Sequence, residues 1–238
     1  MSKLILIRHG QSKWNVENKF TGWVDVDLSL KGEQEARESG ALINNLNIKI
    51  DKSFTSYLLR AIKTLEIALK TMKNENKYEK AWELNERHYG ALTGLNKDET
   101  KKKIGEEKFK IYRRSWNIAP PKMLDDDDNK KNFGELNLKI PKEKIPSSES
   151  LEDTYKRVVP YYENKVIGHL KLNKNVIISA HGNSLRALCK YLFNISNEKI
   201  NKLEIPTGNP FLINLDKELK IKNFRYLNKE RSKEVIDI

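Results

Sequence analysis

Two short segments of the sequence share one design. Ile7 to Ser12 and Ser179 to Ser184 each place His-Gly, then a carboxamide residue, then Ser after an apolar run. Imidazole can act as a nucleophile or as an acid–base group near neutral pH. Each glycine lets the backbone approach a ligand closely, and a helix beginning after it would present free N–H groups to an anion. The pattern predicts a two-histidine site, formed by His9 and His181, for an anion such as phosphate.

The apolar runs before these histidines predict how the two are brought together. Leu4 to Ile7 and Val176 to Ile178 are short and rich in β-branched residues, which is typical of strands buried on both faces of a parallel sheet. Ligands bind beyond the carboxyl ends of such strands. Two neighbouring strands would therefore bring both imidazoles to one crevice. His169 has no comparable setting, and we assign it no role.

The remaining pattern alternates strands with helices. Ser29 can cap a helix over about 31–46, and Ser53 to Thr55 predicts a short strand before a helix with apolar residues from Leu58 to Met72. Further helices are expected over about 97–116, 151–170 and 183–193, and further strands near 79–84, 211–215 and 219–226. This order predicts an α/β fold with a mainly parallel central sheet, helices on both faces and one antiparallel edge strand.

Length suggests how the chain is organised. At 238 residues, a single catalytic domain over 1–238 is the expectation. The stretch of about 120–150 carries four prolines and little apolar periodicity, so we expect a surface loop there. Residues 228–238 are expected to form a C-terminal tail.

Composition narrows the classes of partner. The formal net charge of +12 favours polyanions, which include nucleic acid, acidic lipid and phosphorylated metabolites. A recognition helix, a zinc finger and an aromatic stacking pattern are all missing from the sequence, so a nucleic-acid-binding protein is a remote alternative. No leader pattern and no run of about 18 apolar residues occurs, which predicts a cytoplasmic protein without membrane association. Cys189 has no second cysteine to pair with, and we expect a buried thiol in a reducing compartment.

A metal site is not expected. The sequence has neither His-Glu-x-x-His nor paired cysteines, so zinc-ligand spacing is missing. The acidic run Asp125 to Asp128 lacks the alternating spacing of calcium loops and is expected to be solvated.

Longer blocks carry a family resemblance. They are Arg8 to Asn15, Phe20 to Leu28, Leu84 to Asn96, Arg113-Arg114, Glu149 to Leu151, Ala180 to Ala187 and Ile205 to Gly208. In this order they resemble the cofactor-dependent phosphoglycerate mutases of the histidine phosphatase superfamily. The three residues Arg8-His9-Gly10 alone would be a weak signal, whereas the ordered blocks are specific and cover nearly the whole chain.

The resemblance implies a reaction and the residues that perform it. His9 is the expected nucleophile, which carries a phosphoryl group between 3-phosphoglycerate and 2-phosphoglycerate after priming by 2,3-bisphosphoglycerate. Arg8 and Arg60 are expected to hold the phosphoryl oxygens, and His181 to stabilise charge in the transition state. Glu86 matches the general acid and base.

The resemblance also implies a set of residues that bind substrate or cofactor, with His88 in a binding or packing role. Besides Arg8, Arg60 and Glu86, they are Gln11, Ser12, Asn15, Thr21, Gly22, Arg87, His88, Tyr89, Lys97, Arg113, Arg114, Gly182 and Asn183. Cations among them could hold a three-carbon acid in two orientations, as the isomerisation requires. A homodimer or homotetramer is the expected assembly.

Departures from the family define the alternatives. Gln11 stands where Glu is usual, which removes one negative charge beside the phosphate pocket and leaves the main roles intact. The loop and the tail also look short, and weaker closure by a reduced tail could raise hydrolysis of the phosphoenzyme. A bisphosphoglycerate mutase tends to have Gly at the position of Ser12 and to lack the Thr21-Gly22 pair. A phosphatase would not need Lys97 or Arg113-Arg114. The residues therefore favour the glycolytic mutase over both relatives.

Overall fold

A six-stranded mixed sheet forms the centre of the molecule in a computed structural model, which describes residues 1–124, 133 and 136–232. The strands are β1 (Ser2–Arg8), β2 (Lys52–Thr55), β3 (Tyr78–Lys80), β4 (Val176–Ala180), β5 (Phe211–Leu215) and β6 (Ile221–Tyr226). Their spatial order is β3-β2-β4-β1-β5-β6. The first four strands in this order run parallel, whereas β5 pairs antiparallel with both β1 and β6.

Helices cover both faces of the sheet. They are α1 (Lys13–Val16), α2 (Leu30–Asn44), α3 (Leu59–Thr71), α4 (Lys97–Ile104), α5 (Glu106–Arg114), α6 (Leu136–Lys139), α7 (Leu151–Tyr161), α8 (Ile167–Lys171) and α9 (Gly182–Leu192). Successive β1 side chains point to opposite faces: Leu4 and Leu6 join one core cluster, and Ile5 and Ile7 join another. This confirms the predicted α/β class, with the antiparallel pairing confined to one side of the sheet.

Local backbone chemistry explains where element bounds differ from the sequence prediction. The single helix expected over 97–116 is two helices, because Gly105 lies between them at φ +85°, a conformation that favours glycine. The strand expected over 79–84 ends at Lys80 and is followed by a 3₁₀ turn, Trp82–Leu84. After α7, which contains Pro160, the helix continues as a π turn over Tyr162–Val166 before α8.

The segment of about 120–150 is more than a surface loop, so that expectation was incomplete. Its described part includes α6, and it buries Met123, Phe133, Leu136 and Ile140 in a cluster with Trp23. Irregular spacing of these apolar residues gave no periodic signal in the sequence. Asp125 to Asp128 lie outside the described residues, as do 233–238 of the tail.

The first part of the tail contacts α2 and the segment that precedes β5. The Asn228 amide donates to Asn209 Oδ1 at 3.1 Å, and Arg231 Nη2 donates to the Thr207 carbonyl at 2.7 Å. The same Arg231 nitrogen pairs with Glu35 Oε1 at 2.9 Å. The tail is thus held, as far as Arg231, to the Ile205 to Gly208 block, to Asn209 after it and to α2.

Two further features are the state of the Cys189 thiol and the length and polarity of the helices. Cys189 is buried in α9, and burial raises the pKa of its thiol to about 12, which keeps it protonated and unreactive. Within the described ranges, no helix is both long enough and apolar enough to span a bilayer.

Candidate active site

Strand pairing brings His9 and His181 together. β1 and β4 are parallel neighbours with Arg8 opposite Ala180, so each histidine is the first residue beyond its strand. The His9 amide donates to the Ala180 carbonyl at 2.9 Å. The ring centroids lie 5.0 Å apart with the planes tilted by 59°, and the two residues are only 3% and 0% exposed. Two buried imidazoles therefore occupy the carboxyl edge of the parallel strands.

The hydrogen bonds of His9 define which of its nitrogens can react. Nδ1 donates to the Gly10 carbonyl at 2.7 Å, and because a carbonyl only accepts, Nδ1 carries the proton. The lone pair then lies on Nε2. Burial holds the pKa of His9 well below its ordinary value, and the charges of Arg60 and Arg8 lower it further. A neutral ring with a free Nε2 lone pair has the electronic state of a nucleophile.

Two helices immobilise the backbone that follows His9. The Gly10 amide donates to Thr64 Oγ1 of α3 at 3.0 Å, and the Gln11 amide donates to Glu35 Oε2 of α2 at 2.8 Å. A Cβ on Gly10 would lie 2.2 Å from the Gly32 carbonyl oxygen, so this contact admits no side chain. The glycine of the motif thus serves close packing against α2 as well as access to a ligand.

His181 has one nitrogen engaged and one without a partner. Its Nε2 lies 2.7 Å from Ser56 Oγ, and its buried Nδ1 has no hydrogen-bond partner among the residues that the structure describes. Burial, followed by the positive charge of Arg60, holds the pKa of His181 well below its ordinary value. Leaving a buried polar nitrogen unsatisfied costs free energy, and such a group is a candidate contact for a ligand.

Two arginines present further unused donors. Arg60 is buried; its Nη1 and Nη2 donate to the Val24 and Gly22 carbonyls at 2.9 and 2.7 Å. Arg8 Nη1 donates to the Ile205 carbonyl at 2.8 Å. The Nε atoms of both arginines are buried and lack an acceptor within the described part of the chain. Burial lowers the pKa of Arg60 to about 10, so it remains a cation at neutral pH.

Glu86 lies beside the first turn of α9, which directly follows His181. Its Oε1 accepts from the Arg87 amide at 2.8 Å and from the Asn183 amide, in the first turn of α9, at 3.1 Å. A helix N-terminus favours a negative charge of this kind. A Cβ on Gly182 would lie 3.5 Å from Arg8 Nε and 3.7 Å from Glu86 Oε2, so both side chains lie close to the Gly182 backbone.

A cavity of about 140 Å³ opens beside these groups. The predicted residues that line it are Arg8, Glu86, Tyr89, Arg113, Arg114, Gly182 and Asn183. Arg186 is a fourth arginine on its wall, against two glutamates, so the cavity favours an anionic ligand. Lys97 is not among the residues that line the cavity. Burial lowers its pKa, and the positive charges of Arg113 and Arg8 lower it further.

Several predicted binding residues have contacts within the protein. Ser12 and Asn15 form the capping box of α1, and the Gln11 side chain accepts from Ser29 Oγ at 2.9 Å. Thr21 is buried, and the Gly22 carbonyl serves Arg60. Gln11, Ser12 and Asn15 therefore shape the loop after His9, whereas Gly22 positions Arg60.

Arg87 and His88 also face inward. Arg87 Nη2 donates to the Tyr112 and Arg113 carbonyls at 3.0 and 3.2 Å, and its guanidinium lies over the Tyr89 ring. His88 packs against Trp23 and Phe133. Of the two roles considered for His88, packing is the one that these contacts support.

Three residues of the site escaped the sequence analysis. Arg186 donates to Asn183 Oδ1 at 2.8 Å, Glu204 Oε1 pairs with Arg114 Nη2 at 2.5 Å, and Ser56 contacts His181. A usable signal existed for two of them. Arg186 is a cation in the apolar stretch of α9, and Ser56 directly follows the end of β2. Nothing in the sequence around Glu204 distinguishes it from a surface carboxylate.

Across the described residues, no group of three or more His, Cys, Asp or Glu side chains is arranged to hold a metal ion.

Comparison with known proteins gives consistent matches. The model of the histidine phosphatase superfamily, branch 1, matches residues 4–131 and 125–220. A 2,3-bisphosphoglycerate-dependent phosphoglycerate mutase of Pelagibacter ubique is 52% identical over 99% of each chain. A protein of the same name from Caulobacter vibrioides is 49% identical over 98% of this chain and 97% of its own.

Solved structures of lower identity share the fold. A mycobacterial glucosyl-3-phosphoglycerate phosphatase superposes with a TM-score of 0.72 at 19% identity, covering 95% of this chain and 97% of its own. The Bacillus stearothermophilus protein YhfR superposes with a TM-score of 0.70 at 21% identity, covering 98% of each chain.

Proposed function

Since the chain belongs to the 2,3-bisphosphoglycerate-dependent phosphoglycerate mutases of the histidine phosphatase superfamily, we propose that His9 is the residue that carries the phosphoryl group. The enzyme interconverts 3-phosphoglycerate and 2-phosphoglycerate through a phosphohistidine. The observation that carries the assignment to His9 is its state: a buried, neutral ring whose Nδ1 proton is bound to the Gly10 carbonyl. The reacting atom is therefore Nε2.

The first chemical step forms a bond between Nε2 of His9 and phosphorus and breaks the bond from phosphorus to the donor's oxygen. The Nδ1 proton stays on the ring, and its hydrogen bond to Gly10 stabilises the positive charge that develops there. Because strand pairing and two helices fix this loop, the ring needs little reorganisation to attack.

Glu86 acts on the oxygen that leaves or attacks. Its carboxyl group protonates the departing substrate oxygen and, in the return step, accepts the proton of the incoming hydroxyl. Its place on the cavity wall beside Gly182, near Arg8, puts it on the side from which a substrate oxygen can be reached. A Cβ on Gly182 would lie 3.7 Å from Glu86 Oε2, so the glycine leaves space for a substrate beside this oxygen.

The unpaired donors stabilise the transferring group. The Nε atoms of Arg8 and Arg60 and the Nδ1 of His181 are buried polar groups that phosphoryl oxygens can satisfy. These donors are fixed before the substrate binds, which reduces the reorganisation required in the transition state. His181 must carry its proton on Nδ1 to donate in this way, with Ser56 then donating to Nε2.

The charge of the cavity suits 2,3-bisphosphoglycerate as well as the two monophosphates. Arg113 and Arg114 supply positive charge on a cavity wall that neither histidine lines, and we place the carboxylate and the second phosphate of the primer there. Lys97 adds a further cation, whose pKa is lowered by burial and by the charge of Arg113. When bound, 2,3-bisphosphoglycerate supplies the phosphoryl group that His9 carries. The four arginines of the cavity are chemically suited to a ligand of this charge. Assembly as a homodimer or homotetramer and a cytoplasmic location stay predictions from the sequence.

A mutase assay tests the proposal. Purified enzyme is given 3-phosphoglycerate with and without 2,3-bisphosphoglycerate, in the presence of a chelator, beside His9→Ala. We expect turnover that needs the primer, survives chelation and disappears in the variant. Full activity of His9→Ala, or activity that depends on a metal, would contradict the mechanism.

A further inference from the structure

Arg157 and Glu149 form a buried ion pair beneath the loop that carries Glu86. Their side chains are 8% and 5% exposed. Arg157 Nε donates to Glu149 Oε1 at 2.7 Å, and Arg157 Nη2 donates to Glu149 Oε2 at 2.9 Å. This two-bond geometry satisfies much of the charge of both groups, which offsets the cost of their burial.

The remaining donors of Arg157 bind the backbone of the loop. Nη1 donates to the Glu83 carbonyl at 2.6 Å and to the Asn85 carbonyl at 2.9 Å, and Nη2 donates to the Glu86 carbonyl at 3.0 Å. All three nitrogens of one guanidinium are therefore engaged. No shorter or single-nitrogen cation has the fork needed to make this set of contacts.

Glu149 holds the other side of Glu86. Its Oε2 accepts from the His88 amide at 2.8 Å, and its own amide donates to the His88 carbonyl at 3.0 Å. Trp23 Nε1 adds a second hydrogen bond to the Glu86 carbonyl at 2.6 Å. The backbone is thus bound before, at and after Glu86, while the Glu86 side chain points to the cavity.

We propose that Arg157, bound to Glu149, is a positioning residue of the reaction that holds Glu86 where it can exchange a proton with the substrate oxygen. The proposal rests on the proposed function, because it takes Glu86 as the acid and base. Proton transfer needs the carboxyl group within hydrogen-bond reach of the reacting oxygen, so a small displacement of the loop lowers the rate of that step. A leaving group that needs no proton would be transferred without help from Glu86.

If Arg157 acts through proton transfer by Glu86, its replacement should slow the release of a basic leaving group more than that of an acidic one. Departing p-nitrophenolate is stable as an anion near neutral pH, whereas phenolate is more basic and benefits from protonation. The experiment measures first-turnover release of p-nitrophenol and of phenol from the two aryl phosphates by the full-length enzyme. The ratio of the p-nitrophenol rate to the phenol rate does not depend on how much of a variant is folded.

We expect Arg157→Lys and Glu149→Gln to raise this ratio about 10-fold over the unsubstituted enzyme, and Glu86→Gln to raise it further. In the mutase assay, Arg157→Lys should lower kcat with little change in KM. Ile43→Ala is the matched control: Ile43 is fully buried in the cluster on the opposite face of the sheet and should lower stability without moving the ratio.

The outcomes separate the two proposals. A raised ratio in Glu86→Gln with an unchanged ratio in both Arg157→Lys and Glu149→Gln overturns the positioning role and leaves the function standing. An unchanged ratio in Glu86→Gln removes Glu86 as the acid, and the role of Arg157 falls with it. An increase in Ile43→Ala equal to that in Arg157→Lys would show that general destabilisation causes the effect, which also overturns the proposal.

Discussion

The rings of His9 and His181 lie 5.0 Å apart because β1 and β4 pair in a register that sets Arg8 opposite Ala180. The bond from the His9 amide to the Ala180 carbonyl extends that ladder by one residue. The two imidazoles are consequently held by the sheet itself. A site fixed in this way can place a reacting atom with little loss of order when substrate binds.

Burial of the histidines predicts how stability depends on pH. The pKa of His9 is well below 6.5 in the folded protein, so the folded ring stays neutral while an unfolded chain takes up a proton below pH 6.5. Stability contributed by this group is therefore present above pH 6.5 and lost as the pH falls. The loss is about 1.4 kcal/mol per pH unit until the folded pKa is reached.

Denaturant unfolding of the parent enzyme and His9→Asn between pH 7.5 and about pH 5 measures this effect, since other groups titrate in both proteins. We expect the stability of the variant to fall less steeply with decreasing pH. Parallel curves would show that His9 is protonated normally in the folded state.

Because Gly32 packs closely against Gln11, a side chain at position 32 is expected to displace the loop after His9. A Cβ on Gly32 would lie 2.0 Å from the Gln11 carbonyl oxygen, and backbone atoms there cannot rotate away. Gly32→Ala must shift the loop after His9, and we expect kcat/KM of the mutase reaction to fall about 100-fold. Steady-state kinetics would measure the fall.

Gly168→Ala is the control for that variant. Gly168 lies in α8, and a Cβ there meets no atom within 4 Å. Alanine should preserve activity and stabilise the helix by up to about 1 kcal/mol. Equal activity of the two variants would disprove the tight-packing account of the loop.

The negative charge of Glu204 is expected to weaken the binding of an anionic substrate. It pairs with Arg114 at 2.5 Å, and its charge also acts on the neighbouring Arg113. An anionic substrate must share or displace this carboxylate to reach both arginines. Glu204→Gln should therefore lower KM for 3-phosphoglycerate about twofold to fivefold with kcat unchanged, because a partly exposed ion pair contributes at most ~1 kcal/mol.

Glu198→Gln removes the same charge from an exposed position and tests whether net charge alone explains the change. Glu198→Gln should leave KM for 3-phosphoglycerate unchanged. A higher KM in Glu204→Gln would mean that Glu204 orients Arg114 for the substrate, contrary to this prediction.

Much of the fold followed from the sequence because the strongest patterns are local. The β-branched runs before His9 and His181 became adjacent parallel strands, and the cap at Ser29 marks the start of α2. The break at Gly105 was missed, because a glycine inside a helical pattern is compatible with both a continuous and a divided helix. The buried residues around Phe133 had no periodic spacing to reveal them.

The site shows a similar division. His9 and His181 could be predicted from matched motifs, and Glu86 from resemblance, since they stand in recognisable blocks. Arg157 could not, because its importance lies in contacts with carbonyls that are more than 70 residues away in sequence. Backbone acceptors carry no side-chain identity, so no pattern of residue types signals them.

The position of the phosphoryl group on the enzyme distinguishes His9 from every other acceptor residue. The protein is incubated with 2,3-bisphosphoglycerate, digested at alkaline pH to preserve phosphohistidine, and mapped by mass spectrometry, with NMR to identify the nitrogen that is bonded to phosphorus. We expect a phosphoryl group on Nε2 of His9 that is lost to added 3-phosphoglycerate. A phosphoryl group on another residue, or undiminished mutase turnover in His9→Ala, would contradict it.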